Sequence, residues 1–107
     1  MREITSHKVN GLNEALTINV MDEPGQGGAC HVYDILTPEG CPGNTTIRFQ
    51  NGPIQEVGVN GPSNEALLAV VRDRLECFQR GPYVCETNAH ALNYVISAMD
   101  LLASRTR

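Results

Sequence analysis

The 107-residue sequence predicts an α+β fold, a small N-terminal antiparallel β-sheet followed by a C-terminal antiparallel two-helix hairpin. Three observations carry this. Over residues 1–60, short segments rich in Ile, Val, Thr and Tyr alternate with Asn-Gly and Gly-Pro punctuation, the pattern of strands and turns. Over residues 61–107, apolar residues recur at helical spacing in two runs. Between those runs stands Gly81-Pro82, a strong helix stop. The chain reads as a single domain, 1–107, with a β-rich region and a helical hairpin as its halves.

In chain order, the strand candidates are "EITSHKV", "LTINVMD", "CHVYDIL", "TTIRFQ" and "IQEVGV". Alternation in "TTIRFQ" sets Ile47 and Phe49 on one face and Arg48 on the other. Asn51-Gly52 is the strongest hairpin signal and predicts that "TTIRFQ" pairs with "IQEVGV", with Pro53 loosening the register. Ser63 then caps a helix, with Glu65 favourable in its first turn. Its stripe is Leu67, Leu68, Val71, Leu75 and Phe78. A second helix is expected from about Glu86 to Arg105, with Leu92, Val95, Ile96, Met99, Leu102 and Ala103 as its stripe. A short link makes the two helices antiparallel neighbours. Such a pair cannot bury both stripes alone, so packing on the sheet, self-association or both must complete it.

Composition narrows the function classes. With 41% apolar and 19% charged residues, the chain is that of a soluble globular protein, and lacking Trp its core is mostly aliphatic. A net charge of −4 argues against coating DNA or RNA, which needs a basic face. Lys8 is nonetheless the one lysine among eight basic residues; the rest are Arg, whose planar fork suits small anionic ligands. No apolar run is long enough for a membrane span and "MREITSHKVNG" is no signal segment, so an intracellular location is expected. In that setting Cys30, Cys41, Cys77 and Cys85 are expected as free thiols.

Several sites compete. The glycines of "DEPGQGGACH" (22–31) could cradle a phosphate, but a Walker loop needs a following helix and a Gly-Lys-Ser/Thr ending, and this loop leads into a strand. Cys30 and His31 with Cys41 or His7 match no usual zinc spacing, and nothing sets a base beside a thiol, so neither a metal site nor catalysis is expected. Asn88 lies four residues before Leu92 and seven before Val95, on the apolar face of the second helix. Either its amide is satisfied by backbone near the tip, or it faces a ligand's base edge, as Asn does with adenine. Phe78 is either core or a stacking plane for the same ligand. Arg105 and Arg107 either answer the helix dipole or clamp phosphate. Asn88 and Arg105 stand 17 residues apart, roughly 25 Å along a helix, too far for one small ligand within one chain. A shared site therefore requires two hairpins packed antiparallel.

The segment "NGPSNEALLAVVRDRLECFQRGPYVCETNAHALNYVISAMDLLASRTR", together with "DEPGQGGACHVYDI", resembles the phage Thoeris anti-defence protein one family, whose hairpin is shared with the anti-CBASS sponge. The resemblance implies a non-enzymatic sponge in the host bacterial cytoplasm, needing no cofactor. It would sequester glycocyclic ADP-ribose, the signal made by TIR-domain enzymes, so that the effector is never activated. Some members also hold cyclic di- or trinucleotides in separate pockets, which extends the expected ligands. It implies a homo-oligomer, a dimer-built hexamer, with ligand between chains. The family's adenine-contacting Phe and Asn, ten residues apart, fall on Phe78 and Asn88, and its phosphate-contacting Arg on Arg105. A strand Arg corresponds to Arg48, and Arg107 stands in for a more distal basic contact. The alternative is a protein-binding inhibitor that docks its hairpin on a host defence protein.

Overall fold

The computed structural model describes residues 1–105, so Arg107 lies outside the described residues. The chain divides into two compact units, Met1–Gly61 and Pro62–Arg107.

The first unit is a four-stranded antiparallel meander. Strands β1 (Arg2–Ile4), β2 (Thr17–Val20), β3 (Val32–Leu36) and β4 (Thr45–Arg48) lie side by side in chain order. Register pairs Ile4 with Ile18, Ile18 with Ile35, and Tyr33 with Ile47. Branched residues therefore meet across the sheet, where their stiff χ1 rotamers suit the pleat. Val20 is fully buried, and Tyr33 meets Phe49 edge-on with ring centres 5.6 Å apart. The expected alternation holds: Ile47 and Phe49 are half-buried, and Arg48 is exposed.

Two of the expected strands are corrected. "EITSHKV" is a strand only to Ile4, because Asn10 starts a helical turn, α1 (Gly11–Glu14), its carboxamide accepting from the Asn13 N–H at 3.0 Å. The intervening turn is tied by His7, whose Nε2 lies 2.8 Å from the Leu16 carbonyl. "IQEVGV" is not a strand at all. Pro53 precedes a helical turn, α2 (Ile54–Val57), and the Asn51-Gly52 hairpin does not form. A side-chain clasp closes residues 50–60 instead. The Asn60 carboxamide accepts from the Asn51 N–H and donates to the Asn51 carbonyl, both at 2.8 Å. Gln50 accepts from the Asn60 N–H at 2.8 Å and donates to the Gly58 carbonyl at 2.9 Å. These amide pairs replace the ladder that a fifth strand would have made.

The glycine loop is tied down in the same local fashion. The Gly25 N–H donates to the Ala29 carbonyl and the Gly28 N–H to the Gly25 carbonyl, both at 2.8 Å, so these two donors are engaged within the loop. Asp22 anchors its far end, accepting from the N–H of His31 at 2.9 Å and of Val32 at 3.1 Å. Partial desolvation pushes the Asp22 carboxyl up, but these donors outweigh it and hold the group below its ordinary value. A depressed folded-state pKa contributes stability above the ordinary carboxylate range and loses it as pH falls through the folded value. Asp22→Asn is therefore expected to lower the thermal midpoint at neutral pH, with the gap from the native protein closing in acid. Circular-dichroism melts across pH read this directly.

The second unit is the helical hairpin, α3 (Asn64–Arg80) and α4 (Glu86–Ser104), packed on one another. Ser63 caps α3, accepting from the Ala66 N–H at 3.1 Å, and Cys85 caps α4 through its thiol, which accepts from the Asn88 N–H at 3.4 Å. Every stripe residue expected on α4 is half-buried. On α3 the covered face includes Leu67, Leu68 and Leu75, while Val71 and Phe78 are exposed. No residue of either helix is fully buried. Tyr94 and Leu101, one heptad apart on α4, are more than 70% exposed.

Candidate nucleotide-binding site

The hairpin tip is bridged by one side chain. Gln79 donates to the Cys85 carbonyl at 3.1 Å and accepts from the Cys85 N–H at 3.2 Å, mimicking a strand pair across the reversal. With the last turn of α3 closed by the Gly81 N–H on the Phe78 carbonyl, Pro82 and Tyr83 stand out as a lip. Below it lies an open cleft of about 400 Å³, lined by Asp73, Arg74, Cys77, Phe78, Gly81, Pro82 and Tyr83. That volume falls within the range of small-molecule pockets.

Phe78 is the aromatic surface of this cleft, and it is 40% exposed. The Arg74 guanidinium sits over its ring, 5.7 Å from the centre, a cation–π contact one helical turn back. Arg80 donates to the Cys77 sulfur at 3.4 Å. The cleft thus joins a flat aromatic, a fixed positive charge, the Asp73 carboxylate and the Tyr83 ring, the ingredients for stacking and polar reading of a heteroaromatic ligand.

Of the residues singled out by the sequence, Phe78 lines the cleft and Asn88 does not. Asn88 is half-buried in the first turn of α4, and among the described residues no group hydrogen-bonds its side-chain amide. Arg105 stands at the other end of α4, as its C-cap, with its Nη2 3.6 Å from the Glu65 carboxylate. Seventeen residues of this helix separate Asn88 from Arg105, roughly 25 Å. One protomer therefore does not bring Asn88 and Arg105 together. Arg48 belongs to the sheet unit, at the exposed end of β4.

Sequence reasoning missed Arg74, Tyr83 and Gln79. Arg74 could have been found, because it precedes Phe78 by four residues on one helix face. Gln79 could not, since a side-chain amide bridging a turn leaves no periodic signal. His31 is buried, with its Nδ1 4.0 Å from the Asp22 carboxylate. The four cysteines are free, and among the described residues no three His, Cys, Asp or Glu side chains converge. Among those residues, too, no helix is long and apolar enough to cross a membrane.

No family model matches the chain. Over 61 residues, 57% of its length, it is 43% identical to a protein of Bacillus phage SBSphiJ7 named Thoeris anti-defense 1. That stretch is 43% of the relative, so the chain spans about two-fifths of the length of the curated relative it matches. This α+β chain, with an open aromatic cleft on a helical hairpin, is thus similar over that stretch to a phage anti-defence protein. The relative carries the name of the Thoeris anti-defence protein one family, the family that the sequence resembles.

Proposed function

We propose that this protein is a non-enzymatic sponge for glycocyclic ADP-ribose, with the ligand held between chains of a homo-oligomer in the host bacterial cytoplasm. The observation that carries this reading is the exposed Phe78 ring, backed by Arg74 at an open cleft in a chain with this likeness. Phe78 stacks on the adenine, the unpartnered amide of Asn88 reads its edge, and Arg105, with Arg48 and Arg107, meets the phosphates. Cyclic di- and trinucleotides are the further ligands in this reading, in separate pockets.

Self-association supplies what one hairpin lacks. Tyr94 and Leu101 expose an apolar strip on α4, and covering it with a second hairpin removes that surface from water. If the two run antiparallel, the tip of one meets Arg105 of the other, and the two halves of the site come together. A dimer-built hexamer multiplies such sites. Sequestration then works by mass action: each bound signal is lost to the effector for as long as it stays bound.

Native mass spectrometry of the full chain with glycocyclic ADP-ribose should give a multiple of the protomer carrying intact ligand. Heat denaturation of the same sample should release that ligand chemically unchanged. A cleaved nucleotide would make the protein an enzyme. No retention of glycocyclic ADP-ribose or of any cyclic nucleotide in a panel would favour an inhibitor that docks its hairpin on a host defence protein.

A further inference from the structure

Glu65, favourable in the first turn of its helix, also stands beside the proposed phosphate contact. It stands in the first turn of α3, about two-thirds buried, with its carboxylate 3.6 Å from the Arg105 guanidinium. An acid beside a phosphate-binding arginine weakens the positive field that the ligand meets. A guanidinium alone favours a doubly charged phosphate over a singly charged one. With a carboxylate at its side, the pair is close to neutral and that preference disappears.

We infer that Glu65 is a specificity-determining residue that turns the Arg105 end of the site toward phosphodiesters, with one charge each, and away from phosphomonoesters. The inference rests on Arg105 meeting phosphate in the proposed function. Its chemistry is that of selection by repulsion, in which the wrong ligand is penalised more than the right one is held. A phosphomonoester carries about −1.5 to −2 near neutral pH, against −1 for a diester. The guanidinium fork has five donors, so holding Glu65 with one edge leaves the other for a ligand. A phosphate there lies roughly 7 Å from the carboxylate. At an effective dielectric of about 40 to 80, the excess charge of a monoester then meets a penalty of about two- to sevenfold in affinity. For a signal whose phosphates are all internal to the ring, the device would disfavour by that factor linear nucleotides with terminal phosphates.

The test compares adenosine 5′-monophosphate with its methyl ester, identical but for one charge, by NMR titration of the native protein and of Glu65→Gln. The expected result is that Glu65→Gln shifts the affinity ratio toward the free monophosphate by about two- to sevenfold, and that added salt shrinks the shift. An unchanged ratio, or binding of neither nucleotide at millimolar concentration by either protein, overturns the inference. Glycocyclic ADP-ribose binding by Arg105→Ala separates the two failures. If that variant binds like the native chain, the phosphate role of Arg105 is what fails. If it binds weakly while Glu65→Gln leaves the ratio fixed, the role of Glu65 fails alone.

Discussion

Phe78→Ala is expected to weaken nucleotide binding by about 5- to 150-fold while barely moving the melting of the hairpin. The magnitude follows from base–aromatic stacking, worth about 1–3 kcal/mol, at tenfold per about 1.4 kcal/mol. Stability should hold because the ring is 40% exposed and lines an open cleft, so truncation leaves no closed cavity. The usual cost of about 3–5 kcal/mol for deleting a core Phe does not apply. Arg74→Ala is a graded companion, since it removes only the cation on one face of the ring, worth about 0.5–1 kcal/mol at an exposed site. Calorimetry with glycocyclic ADP-ribose and parallel thermal melts separate binding from folding. If Phe78→Ala lowers the melting temperature as much as it lowers affinity, Phe78 is a packing residue and the stacking assignment is wrong.

That prediction depends on a detail periodicity could not supply. Helical spacing placed Phe78 at the end of the same stripe as Leu68 and Leu75, and by spacing alone it is core. The chain turns back at Gly81, one helical turn later, so α4 has little length left to cover it. Exposure at a hairpin tip is set by where the partner helix begins, and Cys85, not any apolar residue, marks that start. Elsewhere in the hairpin, apart from the exposed Val71, local chemistry and tertiary structure agree. Ser63 caps, Gly81-Pro82 stops, and the stripe Leu92, Val95, Ile96, Met99, Leu102 and Ala103 turns toward shelter, because each signal acts within a few residues of itself. In the sheet unit the central strands were legible for the same reason, as alternating branched residues between turns. Residues 51–60 were not. Asn51-Gly52 is a hairpin signal only if the following residues have a strand edge to join. Here the Gln50 and Asn60 side chains satisfy that backbone first, and "IQEV" coils into a turn. Long polar side chains reaching across nine or ten residues are invisible to a reading that scores neighbours.

The same clasp makes Gly61 the most sensitive glycine in the sheet unit, and Gly61→Ala is expected to be strongly destabilising. With the Asn60 N–H bonded to the Gln50 side chain, the next residue is pressed onto the main chain of residues 48–50. A Cβ at Gly61 would overlap the Arg48 carbonyl oxygen and lie 2.6 Å from the Phe49 carbonyl carbon and 2.8 Å from the Gln50 nitrogen. All three are backbone atoms, so no flexible side chain can swing away. Relief requires moving the end of β4 or opening the clasp, and overpacking of this kind costs about 1–3 kcal/mol or more. For a domain of this size that lowers the melting temperature by roughly 4–8 °C per kcal/mol. Gly11→Ala is the matched control, because a Cβ there meets nothing within 4 Å and Gly11 lies in the short helix α1. It should leave stability unchanged or raise it by about 0.4–1 kcal/mol through the unfolded chain. The contrast tests close approach rather than loss of glycine as such. Should Gly61→Ala melt like Gly11→Ala, the clasp does not hold residue 61 against β4 in solution.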